Sequence, residues 1–258
     1  MFNLEQQGVP VAVIKNDNSK KKQSQYIFLD NNKNDDIRHP LTHIKAKKNE
    51  SFQPITNFTS ERTVSYITGQ SGCGKSYFCA NYILEYIKIH PKRNIYIFSS
   101  LTSDDTLDKI KKIKRIDIKN PEFIEEDISE LIEELKNSLV VFDDTDCLPD
   151  KKIKNKVDSI LNNCLQIGRH HSIDILVTSH MPCNGASTRI VLMEAHNIVF
   201  FPSSLGARTL TYLLYNYLGL DKKQIETIKK LDSRWVCICK SYPQILITEN
   251  EIMMVKDI

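Results

Sequence analysis

Eight consecutive residues, Gly69-Gln70-Ser71-Gly72-Cys73-Gly74-Lys75-Ser76, carry the pattern G-x-x-x-x-G-K-[ST] in full. The residue types suit phosphate chemistry. Glycines at 69, 72 and 74 let the backbone bend until successive N–H groups converge on one point, where phosphate oxygens can bind. A helix that starts there adds the positive end of its dipole. Lys75 brings a cation long enough to reach β- and γ-phosphates, and the Ser76 hydroxyl is an oxygen ligand for Mg²⁺. Gln70, Ser71 and Cys73 complete the turn.

A second informative stretch lies about 70 residues on. Ser138-Leu139-Val140-Val141-Phe142-Asp143-Asp144 is an apolar run of buried-strand character that ends in two carboxylates, a Walker B pattern. Asp143 is assigned to Mg²⁺ and Asp144 to the attacking water. A third run, from Ile173 to His180, is again strand-like and ends in Thr178, Ser179 and His180. Any of these three can sense a γ-phosphate or hold the water.

The flanks of the first motif have the shapes it needs. Residues 62–68 are short, β-branched and aromatic, as a strand requires. Residues 75–90 place Ala80, Ile83, Leu84 and Ile87 at helical spacing, with a stop before Pro91. Further on, the sequence predicts a strand over 94–99, helices over 104–112 and 127–137, and a short strand over 115–118. An amphipathic helix follows over 151–168, its start rich in lysine (151, 152, 154, 156). A strand over 197–202, helices over 205–218 and 221–231, and an edge hairpin of strands 235–240 and 244–248 complete the chain. The expected class is α/β: a mostly parallel sheet flanked by helices, with that antiparallel hairpin at the C-terminal end.

The 258 residues are 26% charged and 41% hydrophobic, an ordinary globular composition, and a net charge of +3 decides little about partners. Residues 1–58 differ from the rest, being rich in Asn, Lys, Asp and Gln. They are expected to form a polar, partly disordered extension ahead of a single domain over 59–258. The extension holds Lys20-Lys21-Lys22, Lys45, Lys47 and Lys48, and an Asn32-Lys33-Asn34-Asp35 match to a guanine-reading motif that stands on the wrong side of the phosphate loop. Seven scattered cysteines without a C-x-x-C pair exclude a disulfide framework and fit a reducing compartment. No apolar run approaches the roughly 18–20 residues that span a bilayer, and the first residues do not read as a secretory signal. The expectation is a soluble, intracellular protein.

Taken together, residues 60–250 resemble the genome-packaging ATPases of large DNA viruses and virophages, the poxvirus-type branch of the FtsK/HerA superfamily of P-loop (RecA-like) NTPases. GQSGCGKS at 69–76, SLVVFDD at 138–144, Gly168-Arg169-His170-His171 leading into DILVTSH at 174–180, FFPSS at 200–204 and LDSRWVCICKSYPQ at 231–244 carry the resemblance. It departs in two places: His180 stands where much of the superfamily has Gln, and Asp144 where many relatives have Glu. The resemblance implies hydrolysis of ATP with Mg²⁺ and movement of double-stranded DNA into a preformed capsid. It also implies a pentameric or hexameric ring of this chain docked on a capsid or portal vertex, at a cytoplasmic viral assembly site or in the virion. An arginine from the neighbouring subunit would complete each site, with Arg169 first and Arg189 and Arg208 as rivals. Other readings of the same motifs are a different DNA-translocating or helicase-type ATPase, and a nucleotide or nucleoside kinase.

Overall fold

The computed structural model describes residues 1–16, 24–30, 41–59 and 61–258; Lys20–Lys22 and the Asn32–Asp35 motif lie outside these. The chain divides into two compact units, Thr59–Ile198 and a second made of Met1–Phe58 with Val199–Ile258.

The described residues of 1–58, a stretch read from its composition as a polar extension, contribute five strands. These are β1 (Phe2–Asn3), β2 (Val9–Asn16), β3 (Gln25–Leu29), β4 (His43–Lys45) and β5 (Glu50–Pro54). Average composition hides short apolar runs: Val11, Ala12, Val13, Ile27, Phe28, Leu29 and Phe52 are all buried. Four of the strands form an antiparallel sheet in the order β1-β3-β2-β5. Phe58 closes one side of it by edge-on ring contacts with Tyr26 and Phe28 at 4.9 and 5.7 Å.

The unit Thr59–Ile198 is built on five strands, β6 (Val64–Thr68), β7 (Asn94–Ser99), β8 (Ile113–Arg115), β9 (Ser138–Asp143) and β10 (Asp174–Ser179). All are parallel, in the order β6-β10-β9-β7-β8. Its helices are α1 (Lys75–Ile89), α2 (Pro121–Glu125), α3 (Ile128–Glu134), α4 (Lys151–Ile167) and α5 (Gly185–Glu194). Strands β6, β9 and β10 are buried along their whole length, as near-continuous apolar strands of a covered parallel sheet should be.

Several local expectations are corrected. In α1, Ala80 and Ile83 are buried as expected, but the stripe is completed by Phe78, Cys79, Tyr82 and Tyr86, and Leu84 is 46% exposed. Residues 104–112 form turns instead of a helix. There the Asp104 carboxylate accepts from Thr106 N and Leu107 N at 2.7 and 2.8 Å, an alternative to the helical ladder that Asp offers readily. Helices α2 and α3 are instead capped by the side chains of Asn120 and Asp127.

Beyond β11 (Asn197–Phe200), the second unit continues with α6 (Ala207–Leu218), α7 (Lys222–Lys229) and the strands β12 (Val236–Cys239), β13 (Ile245–Thr248) and β14 (Glu251–Met254). The hairpin β12–β13 is antiparallel as expected. It is not an edge on its β13 side, where β14 and then β4 extend the pairing.

Candidate active site

The four central parallel strands end together. Ser99 of β7 is the register partner of Asp143 of β9, and Ser179 of β10 that of Thr68 of β6. Strand β10 therefore stands between the strand that feeds the glycine-rich loop and the strand that carries the carboxylates. The crevice at the carboxyl ends of such strands is where open α/β sheets bind ligands.

The loop 69–74 leaves β6 and turns into α1. Gly72 and Gly74 have φ of 75° and 114°, the left-handed region where a Cβ is strained, so glycine at both is a backbone requirement. Gly74 is the N-cap of α1 and provides no side-chain cap, so the N–H groups of the first turn face outward as anion donors. The loop is tied to β10 by Gly69 N donating to Ser179 O at 3.2 Å. Gln70 and Ser71 are exposed, while Cys73 and Ser76 are half-buried.

Lys75 is 6% exposed. Its Nζ donates to Gly69 O at 2.9 Å and to His180 Nδ1 at 3.0 Å, and lies 3.7 Å from Asp144 Oδ1. His180 Nε2 in turn meets Asp144 Oδ2 at 3.0 Å. The expected lysine, second carboxylate and strand-end histidine form one connected cluster.

Consecutive residues of a strand point to opposite faces, yet the carboxylates of Asp143 and Asp144 share one hydroxyl. The cause is a left-handed turn at Asp144, φ 49° and ψ 35°, a conformation that Asp tolerates better than most residues. Thr178 Oγ1 accepts from Asp144 N at 2.8 Å and lies 3.0 Å from Asp143 Oδ1 and 3.1 Å from Asp144 Oδ1. Its single proton serves one carboxylate at a time. Removing the hydroxyl in Thr178→Val is expected to lower stability by about 1–2 kcal/mol. A change of geometry at the carboxylates of this size is also expected to cost turnover about 10²-fold. Thermal unfolding and steady-state nucleotide hydrolysis check the two effects.

Asp143 is 4% exposed, and Ser99 Oγ donates to its Oδ2 at 2.9 Å. Burial, followed by the neighbouring charge of Asp144, raises its pKa, and the two hydroxyl donors offset this in part. An acid whose folded pKa lies above its unfolded value destabilises the fold while ionised, and this penalty is relieved as pH falls through the raised pKa. Asp143→Asn is therefore expected to be more stable than the native chain at neutral pH, by on the order of 0.5–2 kcal/mol. That gain should shrink on acidification. Melting curves recorded from neutral pH down into the carboxylate range test it, and a variant less stable than native at neutral pH would contradict it.

The three polar residues ending the third motif separate. Thr178 faces the two carboxylates and His180 faces Lys75 and Asp144. Ser179 Oγ instead lies 2.8 Å from Asp146 Oδ2 and 2.9 Å from Met181 O, and accepts from Met181 N at 3.1 Å, which shapes the chain as it leaves β10. Arg169 is exposed in the turn before β10, so it enters the sheet at the end opposite its own chain's site. Arg189 is exposed on α5, which follows the loop leaving His180 at the site end. Arg208, also exposed, lies on α6 in the other unit. Ser99 and Asp146 were not anticipated; the register pairing of β7 with β9 is the signal that finds Ser99.

At the other end of β10, Asp174 is 1% exposed and gathers three donors: Thr63 N at 2.7 Å, Tyr86 Oη at 2.8 Å and Arg93 Nη1 at 2.7 Å. One carboxylate thus links β10 to the entry of β6, to α1 and to the entry of β7. Strand β10 is fixed at both ends, by Asp174 below and Thr178 above.

No protein-family model matches the chain. It is 38% identical over 254 residues to uncharacterized protein V3 of the Sputnik virophage, across 96% of each chain. Among solved structures it is similar to the DNA-packaging ATPase B204 of Sulfolobus turreted icosahedral virus, at a TM-score of 0.50 and 18% identity, over 74% of this chain and 99% of that one. It is also similar to the genome-packaging NTPase B204 of Sulfolobus turreted icosahedral virus 2 in complex with AMPPCP, at 0.47 and 16%, over 74% and 98%. The likeness to the first of these is one of fold, that of a P-loop NTPase.

Proposed function

The chain belongs to the family of the Sputnik virophage protein V3, and from that premise we propose that it is an ATP-hydrolysing motor that moves double-stranded DNA into a capsid. The observation that carries this reading is the convergence of Gly69–Ser76, Asp143–Asp144 and Thr178–His180 at one end of the parallel sheet. It is supported by a fold shared with a viral DNA-packaging ATPase over 74% of the chain.

In this reading the outward N–H groups of the loop and the first turn of α1 hold the phosphates, and Lys75 neutralises their charge. Ser76 and Asp143 would hold Mg²⁺. The donors fit, because both offer oxygen and, among the described residues, no cluster of three or more His, Cys, Asp or Glu side chains competes as an all-protein site. Mg²⁺ supplies charge stabilisation at phosphate oxygens when bound. Asp144, turned by its left-handed backbone and held by Thr178 and His180, orients the attacking water.

Movement of DNA requires contacts that change with the phosphate. Helix α4 begins seven residues after Asp144, and Lys151 and Lys152 at its start are exposed. The other two lysines there are engaged within the chain: Lys154 pairs with Asp158 at 3.1 Å, and Lys156 bonds the backbone carbonyls of Ile124 and Glu126. Lys151 and Lys152 are the proposed phosphate-backbone contacts, independent of base sequence. The active form is a ring of this chain, five or six subunits, docked on a capsid vertex. A neighbour's arginine completes each site: Arg169 first by the sequence reading, with Arg189 and Arg208 as rivals. Among the described residues no helix is long and apolar enough to cross a membrane.

The test is displacement of a third strand from a DNA triplex in the presence of ATP. A duplex-translocating motor strips the third strand and leaves the duplex paired. Separation of the duplex strands would make the protein a helicase, and inertness toward the triplex would remove the motor reading.

A further inference from the structure

An ammonium group donates hydrogen bonds and accepts none. Lys75 Nζ, 3.0 Å from His180 Nδ1, therefore meets an unprotonated ring nitrogen, which leaves the ring proton on Nε2, 3.0 Å from Asp144 Oδ2. The imidazole is an acceptor on the lysine side and a donor on the carboxylate side. It joins the cation that binds phosphate to the carboxylate that orients water, two groups whose direct separation is 3.7 Å.

We propose that His180 is a positioning residue that couples these two groups, so that the orientation of Asp144 depends on what Lys75 holds. The inference rests on the hydrolytic reading of Lys75 and Asp144 given above. Lys75 Nζ is shared among Gly69 O, His180 Nδ1 and Asp144. Only the first two are hydrogen bonds, Asp144 at 3.7 Å being a charge contact, and Nζ drawn toward a phosphate oxygen loosens its bond to Nδ1. When it leaves Nδ1, the ring is held through Nε2–H and Asp144 alone, and both are released toward the phosphate side as one unit. Thr178 Oγ1 keeps the other oxygen of Asp144 in place during that change.

Glutamine can reproduce this bridge, since its amide oxygen accepts and its NH₂ donates at the end of a side chain of similar reach. Alanine cannot. The experiment compares wild type, His180→Ala and His180→Gln in steady-state ATP hydrolysis and in equilibrium binding of a fluorescent non-hydrolysable ATP analogue. His180→Ala is expected to lose about 10²-fold in kcat, the cost of a misplaced reacting group. Its affinity for the analogue should be unchanged or tighter, because a competitor for Lys75 is gone. His180→Gln should recover most of the lost kcat. Turnover of the alanine variant close to wild type overturns the proposal, as does a glutamine variant no better than alanine. Analogue affinity that collapses along with turnover overturns it too, because that is the mark of a merely structural role.

Nitrogen NMR of ¹⁵N-histidine-labelled protein supplies an arm that does not need turnover. His180 is expected as the Nε2–H tautomer, with an Nδ1 resonance that moves on addition of the analogue in wild type and stays put in Lys75→Ala. An Nδ1–H tautomer, or a resonance indifferent to the analogue, overturns the coupling. Wild-type protein without Lys75-dependent hydrolysis would instead remove the hydrolytic reading beneath it, and the NMR result would then decide the coupling alone.

Discussion

Lys75→Ala is expected to reduce ATP turnover by about 10³-fold, the upper range for removing one preorganised charge-stabilising donor. The lysine is almost fully buried, and its ammonium is set by Gly69 O, His180 Nδ1 and Asp144 before any phosphate arrives. Its charge therefore already stands beside the glycine-rich loop and exchanges only its bond to His180 for the γ-phosphate, and no neighbouring side chain of the cluster is a cation that could replace it. The fold should survive. Asp144 keeps Thr178 and His180 as donors, and the glycine-rich loop is tied to β10 through its backbone. Circular dichroism and melting should stay near the native values while turnover falls. Turnover within tenfold of wild type would mean that the loop is not the hydrolytic site.

Asp174→Ala is expected to produce the largest loss of stability of any single change discussed, about 3–5 kcal/mol, because it breaks a buried pair by removing one partner. The carboxylate is nearly inaccessible, and burial raises its pKa even though three donors work in the other direction. Deleting it strands the Arg93 guanidinium, the Tyr86 hydroxyl and the Thr63 amide together. Against a total stability of about 5–15 kcal/mol, such a loss places the fold near its threshold. The melting temperature should fall by roughly 10 °C, at 2–4 °C per kcal/mol for a chain of this size class. Denaturant melts check the stability, and hydrolysis measured well below the new midpoint separates stability from catalysis. A variant that melts within 2 °C of the native chain would show that the cluster contributes little.

The two ends of β10 differ in how far the sequence reveals them. At the carboxyl end the residues announce themselves, because a phosphate loop needs glycines and a lysine at fixed spacing, and a carboxylate pair closing an apolar run is a local signal. The polar triplet 178–180 was legible as a group, but the division of labour inside it was not. Whether a hydroxyl faces Asp143 or Asp146 depends on the turn after Asp144, whose left-handed backbone nothing in the local sequence specifies. At the amino end almost nothing was legible. Asp174 collects Thr63, Tyr86 and Arg93 from 111, 88 and 81 residues away, a meeting that only the parallel order β6-β10-β9-β7 creates.

The amino-terminal residues show the opposite failure. A window averaged over 58 polar residues reads as an extension, yet Val11-Ala12-Val13 and Ile27-Phe28-Leu29 are dense enough locally to bury in an antiparallel sheet. Arg169 lies in the turn at the amino end of β10, away from its own chain's site, so a role for it can only be toward a neighbouring subunit. Position along a parallel strand, and not nearness in the chain, decides which residues share a site.

The measurement that bears most directly on the motor is ATP hydrolysis with and without long double-stranded DNA, on wild type and Lys75→Ala, across a range of salt. The expected result is a Lys75-dependent activity that DNA stimulates, with the stimulation falling steeply as salt rises, because phosphate contacts release counterions. Hydrolysis that depends on Lys75 but ignores DNA at every salt concentration would contradict the motor and leave an ATPase driven by something else.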